Sequence, residues 1–175
     1  PLSDDDGARF KRGLLVHRLL QSLPDIALDE REARAKVFLA RPSLELEAKE
    51  QEALLAETLS VLGDPDHADL FGPGSMAEVP ITGIVGDPET GQVLTGQVDR
   101  LLVTKDAVTV IDFKTNRPPP ETEAQVNPRY LRQMAAYRNA LREIYPDRPV
   151  RAVLLWTLGP RLMTLSDAIL DDSAP

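Results

Sequence analysis

The sequence predicts an α/β chain of the α+β kind, in which a helical N-terminal part precedes a sheet flanked by helices. Three observations predict it. Residues 8–62 carry apolar side chains at helical spacing, residues 76–113 carry runs rich in Val, Leu, Ile and Thr, and a helical stretch over 127–145 leads into an apolar run over 150–157.

Phe10, Leu14, His17 and Leu20 recur every three or four residues and predict a first helix over 8–23. A second is predicted over Leu28–Leu39, between Pro24 and Pro42. A third is predicted over Ser43–Leu62, with Ser43 as N-cap and Gly63 as the stop. From Met76 the pattern changes to strands. The first runs over Glu78–Val85 and is followed by a turn at Asp87-Pro88-Glu89-Thr90-Gly91. Val98–Val103 and Ala107–Phe113 then form a hairpin around Thr104-Lys105-Asp106, and Pro118-Pro119-Pro120 ends its second strand. Tyr130, Met134, Tyr137, Leu141 and Ile144 lie along one stripe of a helix over Asn127–Tyr145. Val150–Thr157 reads as a strand buried on both faces, Arg161–Leu165 as an edge strand after Gly159-Pro160, and the last residues are expected to fray.

The hairpin carries the chemistry. A loop of this length pairs Val103 with Val108, which sets Asp99 opposite Asp112. Directly opposed residues share a face with β-carbons roughly 4.5–5.5 Å apart, and like charges so placed repel, so a cation is expected between them. Lys114 lies two residues beyond Asp112 and shares its face, whereas Ile111 and Phe113 point to the other side and fill the core. An Asp-x-Lys triplet alone usually marks a solvated strand face. Here Asp112 interrupts the apolar strand Val110-Ile111-Asp112-Phe113-Lys114, and Asp99 faces it, which is a more specific combination.

Composition narrows the function classes. The 175 residues suit one domain, 1–175, with a helical part over 1–75 and a catalytic core over 76–170. The chain begins on Pro rather than Met and reads as a fragment of something larger. It contains no cysteine, which excludes a disulfide framework, a thiolate zinc site and a cysteine-ligated iron–sulfur cluster, and fits a reducing cytoplasm. No apolar run reaches membrane-spanning length, and no signal-peptide pattern opens the chain. The net charge of −8 argues against holding nucleic acid by an overall field. It is unevenly spread: residues 1–75 carry nine Lys/Arg against fifteen Asp/Glu, and residues 99–151 carry ten against seven. The basic segment is the one that holds Asp99, Asp112 and Lys114.

Other candidates have ordinary readings beside the functional ones. His17 on an apolar helix face is by default a core histidine. Gly13, one turn earlier, serves close helix packing or the approach of a nucleic-acid backbone. His67, within Asp64-Pro65-Asp66-His67, reads as surface. Gln133 and Tyr137 are one helical turn apart, with Tyr137 also in the apolar stripe. Glu78 is either an outer partner of a metal site or a plain strand-edge carboxylate.

The ordered motifs Gly13-x-x-x-His17, Gly96-x-x-Asp99-Arg100, Ile111-Asp112-Phe113-Lys114-Thr115 and Gln133-x-x-x-Tyr137 resemble the nuclease domain of the RecB-like branch of the PD-(D/E)xK superfamily. Within it they are most similar to the C-terminal nuclease domain of AddA-type helicase–nucleases. The resemblance implies a restriction-endonuclease-like core with a mixed central sheet. It also implies a divalent metal, Mg²⁺ with Mn²⁺ or Ca²⁺ as occupants, held by His17, Asp99, Asp112 and the carbonyl of Phe113. Asp99, Asp112, Lys114, Gln133 and Tyr137 would be catalytic. The implied mechanism is hydrolysis, in which Lys114 would orient the attacking water and stabilise developing charge, and the metal would activate the water and polarise a phosphoryl oxygen. By the same resemblance, Gln133 and Tyr137 would orient Lys114 or the DNA. Arg100, Arg117, Arg129 and Arg132 are candidate phosphate contacts. The implied setting is bacterial and cytoplasmic, in recombinational repair of double-strand breaks: a helicase portion of the same polypeptide feeds single-stranded DNA to the nuclease beside an AddB-type partner subunit. Two rivals are a catalytically inactive docking or DNA-guiding module and a stand-alone RecB-like exonuclease of the CRISPR-associated kind.

Overall fold

The computed structural model describes residues 4–85 and 92–174. Helices α1 (Asp4–Ser22), α2 (Leu28–Leu39) and α3 (Ala48–Gly63) come first. Strands β1 (Ser75–Val85), β2 (Gln92–Val103) and β3 (Val108–Lys114) follow, then α4 (Pro128–Ile144), β4 (Val150–Trp156), β5 (Arg161–Thr164) and α5 (Asp167–Ser173). The strands form one five-stranded sheet in chain order, antiparallel except for β3 and β4. A parallel pair needs a crossover element, and α4 is that element. The fold class expected from sequence is therefore the one observed. The turn expected over 87–91 lies outside the described residues.

Each face of the sheet buries its own core. On one face Val98, Leu101, Val108, Val110, Ala152, Leu154 and Trp156 pack with Met134, Tyr137 and Leu141 of α4. On the other Leu102, Ile111, Phe113, Val153 and Leu155 pack with Val16, Leu19 and Leu20 of α1, Ala35 and Leu39 of α2, and Leu54 and Val61 of α3. The alternation along β3 is the expected one, and β4 is buried on both faces with only Arg151 exposed.

Three expectations need correction. The packed face of α1 is Leu15, Val16, Leu19 and Leu20, whereas Phe10 and Leu14 are 68% and 56% exposed. Helix α3 starts at Ala48 rather than Ser43, because Glu45 is left-handed at φ 47 and the Glu47–Glu50 capping box closes the first turn from Glu47. The C-terminus does not simply fray. Ser166 caps α5, Glu123 accepts from the backbone N–H and the hydroxyl of Ser166 at 2.8 and 2.7 Å, and Leu170 is buried against α4.

Candidate functional site

The β2–β3 ladder runs from Val103–Val108 to Arg100–Ile111, the register expected from the loop, and stops one pair short of Asp99 and Asp112. The Thr104 hydroxyl shapes the turn, accepting from Asp106 and Ala107 N–H groups at 3.3 and 3.1 Å. Beyond Arg100 the ladder bond is replaced: the Asp99 carboxylate accepts the Phe113 N–H at 2.6 Å. On the other side of β2, pairing with β1 passes from Ala77–Arg100 to Val79–Val98, skipping Glu78 and Asp99. Glu78 has φ 54, a conformation uncommon for a residue with a β-carbon. Val98 and Leu101, three residues apart, both join the core under α4, so strict alternation breaks between them. Asp99 sits at that break, and its other oxygen lies 3.2 Å from His17 Nδ1 on α1, across the sheet from α4.

His17 stacks edge-on against Phe113 at 5.8 Å. Burial lowers its pKa, but the hydrogen bond to Asp99 and the charges of Asp99 and Asp112 outweigh that, and the net shift is upward. Asp112, 5% exposed, pairs with Lys114 two residues along the same face. Burial pushes the Asp112 carboxyl up, Lys114 pulls it back and Asp99 adds to the rise, leaving it above its ordinary value. Lys114 Nζ also lies 3.9 Å from the centroid of the Tyr130 ring on α4.

The helix motif acts on β2. Tyr137 donates its hydroxyl to the Gln97 carbonyl at 3.1 Å and accepts from Gln133 Nε2 at 3.2 Å. A β-carbon at residue 96 would lie 2.7 Å from the Tyr137 hydroxyl, so Gly96 is what lets the ring seat there. Gly96 and Tyr137, from two motifs forty-one residues apart in sequence, together set the strand three residues before Asp99.

Several sequence candidates do other work. Arg100, offered as a phosphate contact, is 1% exposed. Its guanidinium reaches Ser75 Oγ at 2.8 Å and the Leu20 carbonyl at 3.4 Å and lies over Phe71, so it ties α1 to the sheet. Burial lowers its pKa. Gly13, considered as a point of nucleic-acid approach, faces Thr115: a β-carbon there would lie 2.9 Å from Thr115 Oγ1. His67, read as surface, is 3% exposed. Arg129 and Arg132 are exposed on α4. Arg117 is half exposed and lies 3.4 Å from Glu57.

Glu57 was missed. It is buried on α3, pairs with Arg12 of α1 and with Arg117, and accepts the Thr157 hydroxyl at the end of β4. Its signal in the sequence was a carboxylate in phase with Leu54 and Val61 on a buried helix face. Arg12, His17, Lys114, Arg117, Tyr130 and the exposed Phe10 share one open groove of about 680 Å³.

Residues 2–167 match the family profile described as the PD-(D/E)XK nuclease superfamily. The chain belongs to that superfamily. No curated protein sequence matches it. Among matching solved structures is one titled "Crystal structure of SSO0001", 14% identical, with a TM-score of 0.37, covering 90% of this chain and 71% of that one.

Nucleases of the PD-(D/E)XK superfamily generally use divalent metals. As the side chains stand, no three His, Asp or Glu among the described residues form a ready metal cage: Asp112 turns to Lys114, and Asp99 to His17 and the Phe113 N–H. The chemistry of the donors nevertheless fits such an ion. Asp112 is paired with Lys114 and feels the charge of Asp99, burial raises its pKa, and oxygen donors with one imidazole suit a hard divalent cation.

Proposed function

We propose that this PD-(D/E)XK domain is a Mg²⁺-dependent deoxyribonuclease that hydrolyses the phosphodiester bonds of single-stranded DNA. The observation that carries the reading is the Asp112–Lys114 pair at the end of β3 beside the Asp99–His17 pair, with His17 and Lys114 lining a groove that arginines also line. His17, Asp99, Asp112 and the Phe113 carbonyl would hold the ion. When bound, it supplies Lewis-acid activation of water and of a phosphoryl oxygen. Lys114 orients the attacking water and stabilises charge developing on the phosphate, with Tyr130 beneath its ammonium and Asp112 beside it. Gln133 and Tyr137 hold β2 so that Asp99 stays aimed at His17.

The same reading extends to the setting. The four motifs and their order support an exonuclease domain of an AddA-type helicase–nuclease, working with an AddB-type subunit in double-strand break repair. The test is cleavage of a labelled single strand with Mg²⁺ or Mn²⁺ by the wild-type chain, Asp112→Ala and Lys114→Ala. Lys114→Ala should lower kcat roughly 100- to 1000-fold, the range for loss of one charge-stabilising donor. Cleavage that survives both substitutions would sink the proposed site.

A further inference from the structure

The least expected side chain in the groove is Phe10. Its helical phase predicts packing, yet the structure leaves it 68% exposed at the groove that holds Lys114. A large apolar ring kept in water beside a polar site is a local conflict of the kind that marks function. A second observation lies in the same groove. Arg12 and Arg117 both pair with the buried carboxylate of Glu57, so among the described residues two guanidiniums meet one negative charge there. Glu57 is fixed in turn by Thr157, which also bonds the Lys114 carbonyl through its N–H at 3.0 Å. The surplus positive charge is thus anchored to the strand that carries Lys114. Arg117 is half exposed and open to the groove.

We infer that Phe10 is a stacking platform for a base of the bound strand, and that Arg12 and Arg117 on Glu57 hold the phosphate next to it. The ligand class is a single-stranded nucleic acid: an aromatic face takes any unstacked base, and a duplex would keep its bases from Phe10. The surplus positive charge of Arg12 and Arg117 takes a backbone phosphate without regard to sequence. Phe10 thereby becomes the residue that favours a single strand over a duplex, and Arg12 and Arg117 on Glu57 the phosphate contact beside it. This inference rests on reading the site as a nuclease.

The experiment measures binding without cleavage. The chain in EDTA is titrated by fluorescence anisotropy with an internally labelled oligothymidylate, and with an abasic strand of the same length. Phe10→Ala should weaken binding of the oligothymidylate roughly five- to hundred-fold, leave the abasic strand unchanged, and be rescued by Phe10→Trp. Arg117→Gln should weaken both strands alike and flatten the dependence of log affinity on log salt by about 0.7. Phe10 is exposed, and Glu57 keeps Arg12 and Thr157 when Arg117 is changed, so the fold is expected to hold in both variants. If the wild type cleaves with Mn²⁺ while Phe10→Ala binds as well as wild type, or Arg117→Gln keeps the full salt slope, the inference is overturned and the nuclease reading stands. If the variants lose binding as described but the wild type does not cleave, the groove is supported and the nuclease reading falls. A wild type that neither binds nor cleaves overturns both.

Discussion

Two charged clusters touch α4, and they are built in opposite ways. Toward the C-terminal end of α4, Arg138 is 1% exposed and bonds Asp167 at 2.9 Å and Asp171 at 2.5 Å, whose carboxylates are 67% and 63% exposed. Arg142 joins Asp167 at 2.8 Å. There the cation is buried and its partners keep their water, so the charge is satisfied and α5 is fastened to α4. At the N-terminal end, under Tyr130, the carboxylate is buried: Asp112 has one lysine for a partner and a second carboxylate close by. Burying an anion beside another anion is costly unless something else is bound. The first arrangement is what a docking contact requires, and the second is what a cation site requires.

Substitutions at the two clusters should separate accordingly. Asp112→Asn is expected to have the largest effect, lowering cleavage by at least about 1000-fold while leaving the metal-free melting temperature unchanged or raised. The sign follows from the raised pKa of the carboxyl. Folding disfavours its charged form at pH above the folded value, and the penalty vanishes once pH falls below the ordinary carboxylate range. Any thermal advantage of the Asn variant should therefore fade on acidification. A metal-free variant much less stable than wild type at neutral pH would contradict the comparison.

Arg138→Ala should do the reverse, costing about 1–3 kcal/mol of stability in urea titration with unchanged cleavage per folded molecule. The carboxylates it leaves behind are mostly in water, which holds the loss below the roughly 3–5 kcal/mol seen when a fully buried pair is broken. Gly96→Ala sharpens the comparison, because its β-carbon would press on Tyr137 and shift the strand that carries Asp99. It should cost about 1–3 kcal/mol and reduce cleavage as well. The smallest effect belongs to Tyr137→Phe, which removes the bond to the Gln97 carbonyl for about 0.5–1.5 kcal/mol. Urea midpoints and kcat measured on the same samples decide both cases.

The hairpin was legible because its information is local. A two-residue period and a short polar loop are enough to place Asp112 with Lys114 and to turn Ile111 and Phe113 inward, as observed. Helices α2 and α4 were legible for the same reason. Phe10 was misplaced because a helix with apolar residues on several sides has more than one possible packed face, and only the neighbouring helices and sheet select Leu15, Val16, Leu19 and Leu20. Arg100 looked like a surface cation beside a site. Its long side chain instead reaches Ser75 and Leu20, residues that sequence distance does not connect to it.

The sequence by itself determined the strand and helix periods, the pairing register and the residue types at the site, because each depends on side chains a few positions apart. Tertiary structure decided what those residues meet. The break in β2 that lets Asp99 reach His17, the seat of Tyr137 on Gly96, and the sharing of Glu57 by Arg12 and Arg117 all join elements whose contacts form only when both faces of the sheet are covered. Pairing alone predicts Asp99 opposite Asp112, but the ladder stops one pair short of them, and the helix that gives Asp99 its histidine had to be folded against it.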